Sequence, residues 1–196
     1  MPSSVFESLF HPAQGTRLPE WDQVAESLHS LRVPAGQVVF AQGVEHPHVY
    51  AVRSGLLKLC YLNDEGDEWV KSFAHEGRFF ASLAALPAGG RTHFMVEALE
   101  PSVLERLPYA LLTDLADRHL AWARVLQALT LVFAARKEER ERELLTLNPE
   151  QRYRAFRAAH PELEARIPQK DLARYLALTP VGLNRIVMRV RRSEGR

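Results

Sequence analysis

Cysteine is nearly absent from this chain. Its 196 residues include one, Cys60. An internal disulfide is thereby excluded, as are four-cysteine zinc and iron–sulfur sites. No apolar run is long enough to span a bilayer, and the first residues lack the basic-then-apolar pattern of a signal segment. The expectation is a cytoplasmic protein with no membrane partner. Internal repeats and low-complexity linkers are missing. No nucleophile–base pair is apparent, so no catalytic residue is assigned. Net charge is also close to absent, with 25 Lys and Arg against 24 Asp and Glu. The length allows one large or two small domains, each able to bury a core.

The balance of charge hides a division. Residues 1–135 hold 10 basic and 15 acidic side chains, whereas residues 136–196 hold 15 basic and 9 acidic. A cationic C-terminal part suits a polyanion partner. Within it, IPQKDLARYLALTPVGLNRIVMRVRR has the pattern of two helices around a tight turn. Leu172, Leu176 and Leu178 mark the first helix and its exit, and small Ala173 suits a close crossing. Thr179 is a good N-cap, and Pro180 follows at the first helical position, where a missing N–H is no loss. Leu183, Ile186, Val187 and Val190 form an apolar face for a helix over 179–192. Asn184, Arg185, Met188, Arg189 and Arg192 then point outward. This is a helix-turn-helix, whose second helix enters the DNA major groove. Ala177 stands where the turn usually has Gly, so a positive φ there would add strain of about 1 kcal/mol.

Arg185 is the leading base reader, since a guanidinium can donate two hydrogen bonds to guanine. Asn184 can reach adenine or phosphate. Val181 is placed against a thymine methyl, and Gly182 where the helix approaches the DNA backbone. Met188 shares this outward face. Gln169, Thr179, Arg189, Arg191 and Arg192 are assigned to phosphates.

Upstream, short β-rich runs alternate with glycine turns from Arg32 to about Leu107. They are Gln37–Phe40, Val49–Arg53, Leu56–Leu62, Glu68–Phe73, His93–Leu99 and Val103–Leu107. Such spacing predicts a small sandwich or jelly roll. A short helix is predicted near Trp21–Leu31, another near Tyr109–Asp117. From Leu120 to about Leu145 there is neither Gly nor Pro. The first half of this long helix is apolar nearly all round, so it needs cover on more than one side. A symmetry-related copy is the economical second partner. Trp122, Val125, Leu126, Leu129, Val132, Phe133 and Arg136 are assigned to that dimer interface. Asn148-Pro149 starts a further helix that His160-Pro161 ends. The fold class is therefore α+β, in three parts: residues 1–118, a β-roll with a short N-terminal helix; 119–146, a dimerisation helix; and 147–196, the helix-turn-helix.

This order resembles the transcription regulators of the cyclic-AMP receptor protein and fumarate–nitrate regulator (CRP/FNR) family, from about Leu31 to Arg192. The string VYAVRSGLLKLCYLNDEGDEWVKSFAHEGRFF is similar to the family's β-roll core, with Gly55 in the tight turn between strands. The resemblance implies a homodimer on palindromic double-stranded DNA, with RNA polymerase as a further partner. It also implies a wing after the recognition helix, for which Arg196 comes too soon, so fewer phosphate contacts are expected. Many members carry Arg and Glu where this chain has Pro180 and Val181, so a different DNA sequence is expected.

In nucleotide-binding members a cassette F-x-G-E-L and a later Arg-Ser or Arg-Thr hold the ligand. Here the matching residues are Phe79, Phe80, Ala81, Ser82 and Leu83, then Arg91 and Thr92. Ala81 replaces the glycine and Ser82 the acid that grips the ribose. Cyclic AMP is therefore disfavoured, while another anionic small molecule near Arg91 stays open, as does a purely local pairing of Arg91 with a carboxylate such as Glu97. No cofactor is assigned with certainty, and no metal site. Two other readings stand beside the main one: a regulator acting through protein contacts with a degenerate DNA-binding end, and a cupin-like metal enzyme using His46-x-His48.

Overall fold

The computed structural model describes residues 4–10 and 17–194. Eight strands form two antiparallel sheets: β1 (His29–Val33), β2 (Val38–Phe40), β3 (His48–Ser54), β4 (Leu57–Leu62), β5 (Glu68–Ala74), β6 (Phe79–Phe80), β7 (Met95–Ala98) and β8 (Ser102–Pro108). One sheet has the order β1-β8-β3-β6, the other β2-β7-β4-β5. The period-two alternation of β3 decides its packing. Tyr50 and Val52 enter the core between the sheets with Leu57, Leu59, Phe80, Val96 and Leu104. Val49 and Ala51 turn the other way, into a second core. Gly55 makes the β3–β4 turn at φ 101°, and a β-carbon there would overlap the Ser102 side chain. No other residue type fits this position.

Helices cover the outer face of the first sheet. They are α1 (Val5–Phe10), α2 (Trp21–Ser27), α3 (Tyr109–Arg118) and the start of α4 (Leu120–Thr146). Phe6, Phe10, Trp21 and Trp122 lie together in the second core. The Glu105 carboxylate, fully buried on β8, accepts from the N–H groups of Val5 and Phe6 at 3.0 and 3.1 Å. Arg53 neutralises it at 2.6 Å.

Two expectations need correction. The helix predicted to Leu31 stops at Ser27, and His29–Val33 instead pairs with β8, His29 opposite Arg106 and Val33 opposite Ser102. Leu28 and Leu31 sit at helical spacing from Val24, but the neighbouring strand supplies the hydrogen bonds that decide the conformation. Trp122 does not belong to an interface with a second chain. It is fully buried in its own protomer, stacked 6.1 Å from Trp21, and its indole N–H donates to the Pro19 carbonyl at 2.8 Å.

Beyond α4 come α5 (Pro149–Ala159), α6 (Gln169–Tyr175) and α7 (Pro180–Glu194). The start of α5 is a capping box: Asn148 accepts from the Gln151 N–H while the Gln151 side chain accepts from the Asn148 N–H. Tyr153, Phe156, Leu163, Ile167, Leu172, Leu176, Leu183, Ile186 and Val190 form the third core, closed from the β-roll side by Leu56.

Candidate nucleic-acid interface and effector loop

The α6–α7 turn is built as a helix-turn-helix. The Leu178 N–H reaches the Ala173 carbonyl at 2.9 Å, and Ala177 takes φ 54°. Ala177 therefore carries the left-handed strain that its side chain makes costly. Thr179 Oγ1 accepts from the Gly182 N–H at 3.0 Å, capping α7. A β-carbon at Gly182 would approach that same hydroxyl to 3.1 Å, so this glycine leaves room for the cap as well as for a close partner. Leu183, Ile186, Val187 and Val190 are buried as the spacing predicts.

The opposite face of α7 is open. Val181 is 63 % and Met188 48 % exposed, and Asn184, Arg185, Arg191 and Arg192 are exposed too. Asn184, Arg185, Met188, Arg189 and Arg192 line one shallow depression. Arg189 differs from its neighbours: it lies 3.3 Å from Glu150 at the start of α5, so a phosphate would have to compete with that carboxylate. Gln169 is exposed at the first position of α6. The structure thus brings Val181, Asn184, Arg185, Met188 and Arg192 onto one helix face and puts Thr179 in a capping role.

The unit carrying α7 is held against the β-roll. Arg166, between α5 and α6, forms two 3.0 Å bonds to Glu76 and reaches Glu100 at 2.8 Å. Lys58, buried on β4, bonds Glu68 at 3.1 Å and lies 3.3 Å from Glu97 and 3.8 Å from Asp171 of α6. Burial opposes its charge, but Glu68, Asp171 and Glu97 outweigh burial and raise its pKa. Arg174 pairs with Glu68, and Arg140 of α4 stacks over Tyr175 at 3.8 Å while donating to its carbonyl. Sequence reading missed this seam, because nothing in a linear pattern pairs residue 58 with residue 171.

The candidate effector loop, around Ser82, Arg91 and Thr92, has its polar groups engaged. Thr92 is buried, donates to the Ala41 carbonyl at 2.6 Å and accepts from the Val44 N–H at 3.1 Å. Ser82, also buried, accepts from the His93 N–H at 3.4 Å. Arg91 donates to the Gly43 carbonyl at 2.9 Å and lies 3.8 Å from Glu45, not Glu97, which belongs to Lys58. Ala81 is buried in the second core, and Leu83 is 51 % exposed.

Along α4, Val125, Leu126, Leu129 and Phe133 pack partly against the chain's own β-roll, Phe133 edge-on to Phe79 at 4.8 Å. Arg136 lies over the same Phe79 ring at 5.2 Å. Leu131 and Val132 are exposed, at 63 % and 38 %. Leu131 counts among the apolar residues of this helix in the sequence but is not among those assigned to the interface, although its spacing from Ala128 and Ala135 marks a separate helix face.

His46 and His48 do not make a cupin site. Among the described residues no third ligating side chain joins them, and His46 bonds the Tyr50 hydroxyl at 2.7 Å. Burial, then His48 and Arg106, pushes the His46 imidazole down to about 4. Cys60 is fully buried, and burial pushes its thiol up to about 11. No helix among the described residues is long and apolar enough to cross a membrane.

Comparison with known proteins places these features. Residues 30–119 match the family model for the cyclic nucleotide-binding domain. The fumarate and nitrate reduction regulatory protein of Vibrio cholerae serotype O1 is 28 % identical over 192 residues, covering 91 % of this chain and 74 % of the relative. Among solved structures, FixK2 from Bradyrhizobium japonicum superposes with a TM-score of 0.76 at 18 % identity, covering 85 % of this chain and 86 % of that one. A transcriptional regulator of the CRP/FNR family from Thermus thermophilus gives 0.63 at 24 % identity, covering 84 % and 87 %. With a β-roll, a long helix and a C-terminal helical unit in this order, the chain is similar in fold to transcription regulators of the CRP/FNR family, and its β-roll matches their nucleotide-binding domain model.

Proposed function

We propose that the chain works in the cytoplasm as a non-catalytic homodimer that reads a palindromic DNA site with α7. The observation that carries this reading is the row Val181, Asn184, Arg185, Met188 and Arg192, exposed on a helix whose other face is buried. Asn184, Arg185 and Arg192 make no side-chain hydrogen bond or ion pair with a described residue, so their donors are available to bases and phosphates. Residues 1–118 act as the sensor part, 119–146 as the dimerisation helix and 147–196 as the DNA-binding part. In the dimer, Ala128, Leu131, Val132 and Ala135 of α4 face their counterparts, while Val125, Leu126, Leu129 and Phe133 stay partly with the β-roll. Two recognition helices about 34–36 Å apart then meet successive major grooves. RNA polymerase is the partner through which such a regulator acts on transcription.

An anionic effector would bind the Arg91 loop by replacing Glu45 as the partner of the guanidinium. Cyclic AMP is a poor fit, because the Thr92 hydroxyl is already committed to Ala41 and Val44 and no acid stands at Ser82 to take the ribose. Selection of bound duplexes from a random pool tests the main reading. Recovery of an inverted repeat with half-site centres about 10 base pairs apart supports it. Failure to enrich any sequence at low salt overturns it. Replacing thymine by uracil within the selected site then removes only the methyl that Val181 would touch, and unaltered affinity would remove Val181 from the base readers.

A further inference from the structure

One cluster of ligating side chains has no part in DNA reading or in the Arg91 loop. His75 follows β5 directly, His160 caps the C-terminal end of α5, and Glu162 lies two residues beyond. One ligand atom of each lies within 4.8 Å of the others, and no other group of three or more such residues occurs among the described residues. The two imidazole rings are 6.2 Å apart and nearly perpendicular. We infer that His75, His160 and Glu162 bind a divalent first-row transition metal ion, of which zinc is the reference case, and that the ion fastens the α5–α7 unit to the β-roll.

The donor set selects the class of ion. Two imidazoles and one carboxylate suit borderline cations such as zinc, with an open position for water. Calcium and magnesium prefer all-oxygen surroundings. Tetrahedral bonds of about 2.0–2.1 Å place ligand atoms about 3.3 Å apart, so a cluster whose ligand atoms lie within 4.8 Å of one another has to contract by up to about 1.5 Å. Rotation of the exposed Glu162 side chain and of the two half-buried rings is the movement this contraction calls for. His160 is anchored for the purpose by its N–H bond to Phe156 at 2.9 Å. Arg78 is the competitor: its Nε–H donates to His75 Nε2 at 3.2 Å, and its charge repels a cation.

The place of the cluster gives the ion its effect. His75 is next to Glu76, which already holds Arg166, so a metal would reinforce the same seam. An ion bound to both sides favours the docked arrangement, and by linkage undocking weakens its binding. The consequence for DNA rests on the function proposed above, but metal binding does not, and its test uses no DNA.

Titration calorimetry of the full chain, stripped by chelator and titrated with zinc alone, is the direct measurement. One ion per chain is expected. His75→Gln or His160→Gln should weaken binding more than about tenfold, since even outer-shell changes cost about 10–100-fold. Glu162→Gln should weaken it too, Arg78→Gln should strengthen it, and a His46→Gln, His48→Gln double variant should leave it unchanged. Circular dichroism verifies folding. If the histidine variants unfold, the opposite signs expected at Glu162 and Arg78 still decide. No zinc binding, binding that survives the loss of both His75 and His160, or binding lost with His46 and His48 overturns the site. Zinc should also slow amide exchange in α6 and α7 of the parent but not of Glu162→Gln. Unchanged exchange in a zinc-loaded parent overturns the fastening.

Discussion

Arg166 and Glu76 meet fork to fork, with both guanidinium nitrogens 3.0 Å from a separate carboxylate oxygen. The contact joins the segment before α6 to the turn after β5, and Glu76 also accepts from the Gly55 N–H at 2.8 Å. One acid thus accepts from the β3–β4 turn and holds the unit that carries α7.

This pair predicts a pH response. Chiefly the Arg166 hydrogen bonds, with help from the Gly55 N–H and against burial, lower Glu76 from 4.5 to about 2. A carboxylate lowered on folding contributes stability above its unfolded value and loses it as pH falls toward the folded one. Glu76→Gln keeps an acceptor for Gly55 but removes the charge, so it should cost about 1 kcal/mol or less at neutral pH, given how exposed the pair is. The difference in thermal midpoint between parent and variant should be constant above pH 4.5 and shrink below it. A difference that does not narrow in acid would show that the charge is not what matters.

Ala177 at φ 54° predicts a substitution that improves the fold. Ala177→Gly should raise the stability of the α5–α7 unit by up to about 1 kcal/mol, because glycine takes this conformation without a β-carbon clash. Denaturant unfolding with the slope unchanged checks it, and a loss of stability would refute the strain.

Leu131 and Trp122 should behave oppositely when changed. Leu131→Glu puts a charge on the exposed face of α4 and should convert a dimer to a folded monomer in sedimentation equilibrium. Trp122→Ala should instead cost about 3–5 kcal/mol of protomer stability, since the indole fills the chain's own core. A Leu131→Glu chain that remains dimeric would place the interface elsewhere.

Arg185 and Arg192 separate reading from holding. Arg185→Ala should lose about 1–3 kcal/mol on the selected site and relax preference at one base pair. Arg192→Ala should weaken all sequences evenly and reduce the salt slope by about one unit. Competition binding at several salt concentrations resolves both. An even loss for Arg185→Ala would make it a phosphate contact.

The legible parts of the molecule were those governed by local rules. Asn148-Pro149 and His160-Pro161 bracket α5 where it occurs, and Thr179-Pro180 starts α7. Glycine turns separated the strands because a turn at positive φ needs that residue type. What failed depended on neighbours remote in sequence. His29–Val33 is a strand because β8 lies beside it. Trp122 sits on a helix that is apolar nearly all round, and no periodicity says which side meets the β-roll. The partners of Arg91 and Lys58, and the meeting of His75 with His160, come from loops and strands that only the folded chain brings together. On α7 the outward residues were legible, but the diversion of Arg189 to Glu150 was not.

The lone sulfhydryl gives this protein an internal stopwatch. Cys60 is paired across to Val70 on one side and Met95 on the other, and its thiol is held up to about 11. An alkylating reagent therefore has almost no anion to attack while β4 remains enclosed. The pace of labelling at this one atom reports how often the sheet breathes open, without any introduced probe.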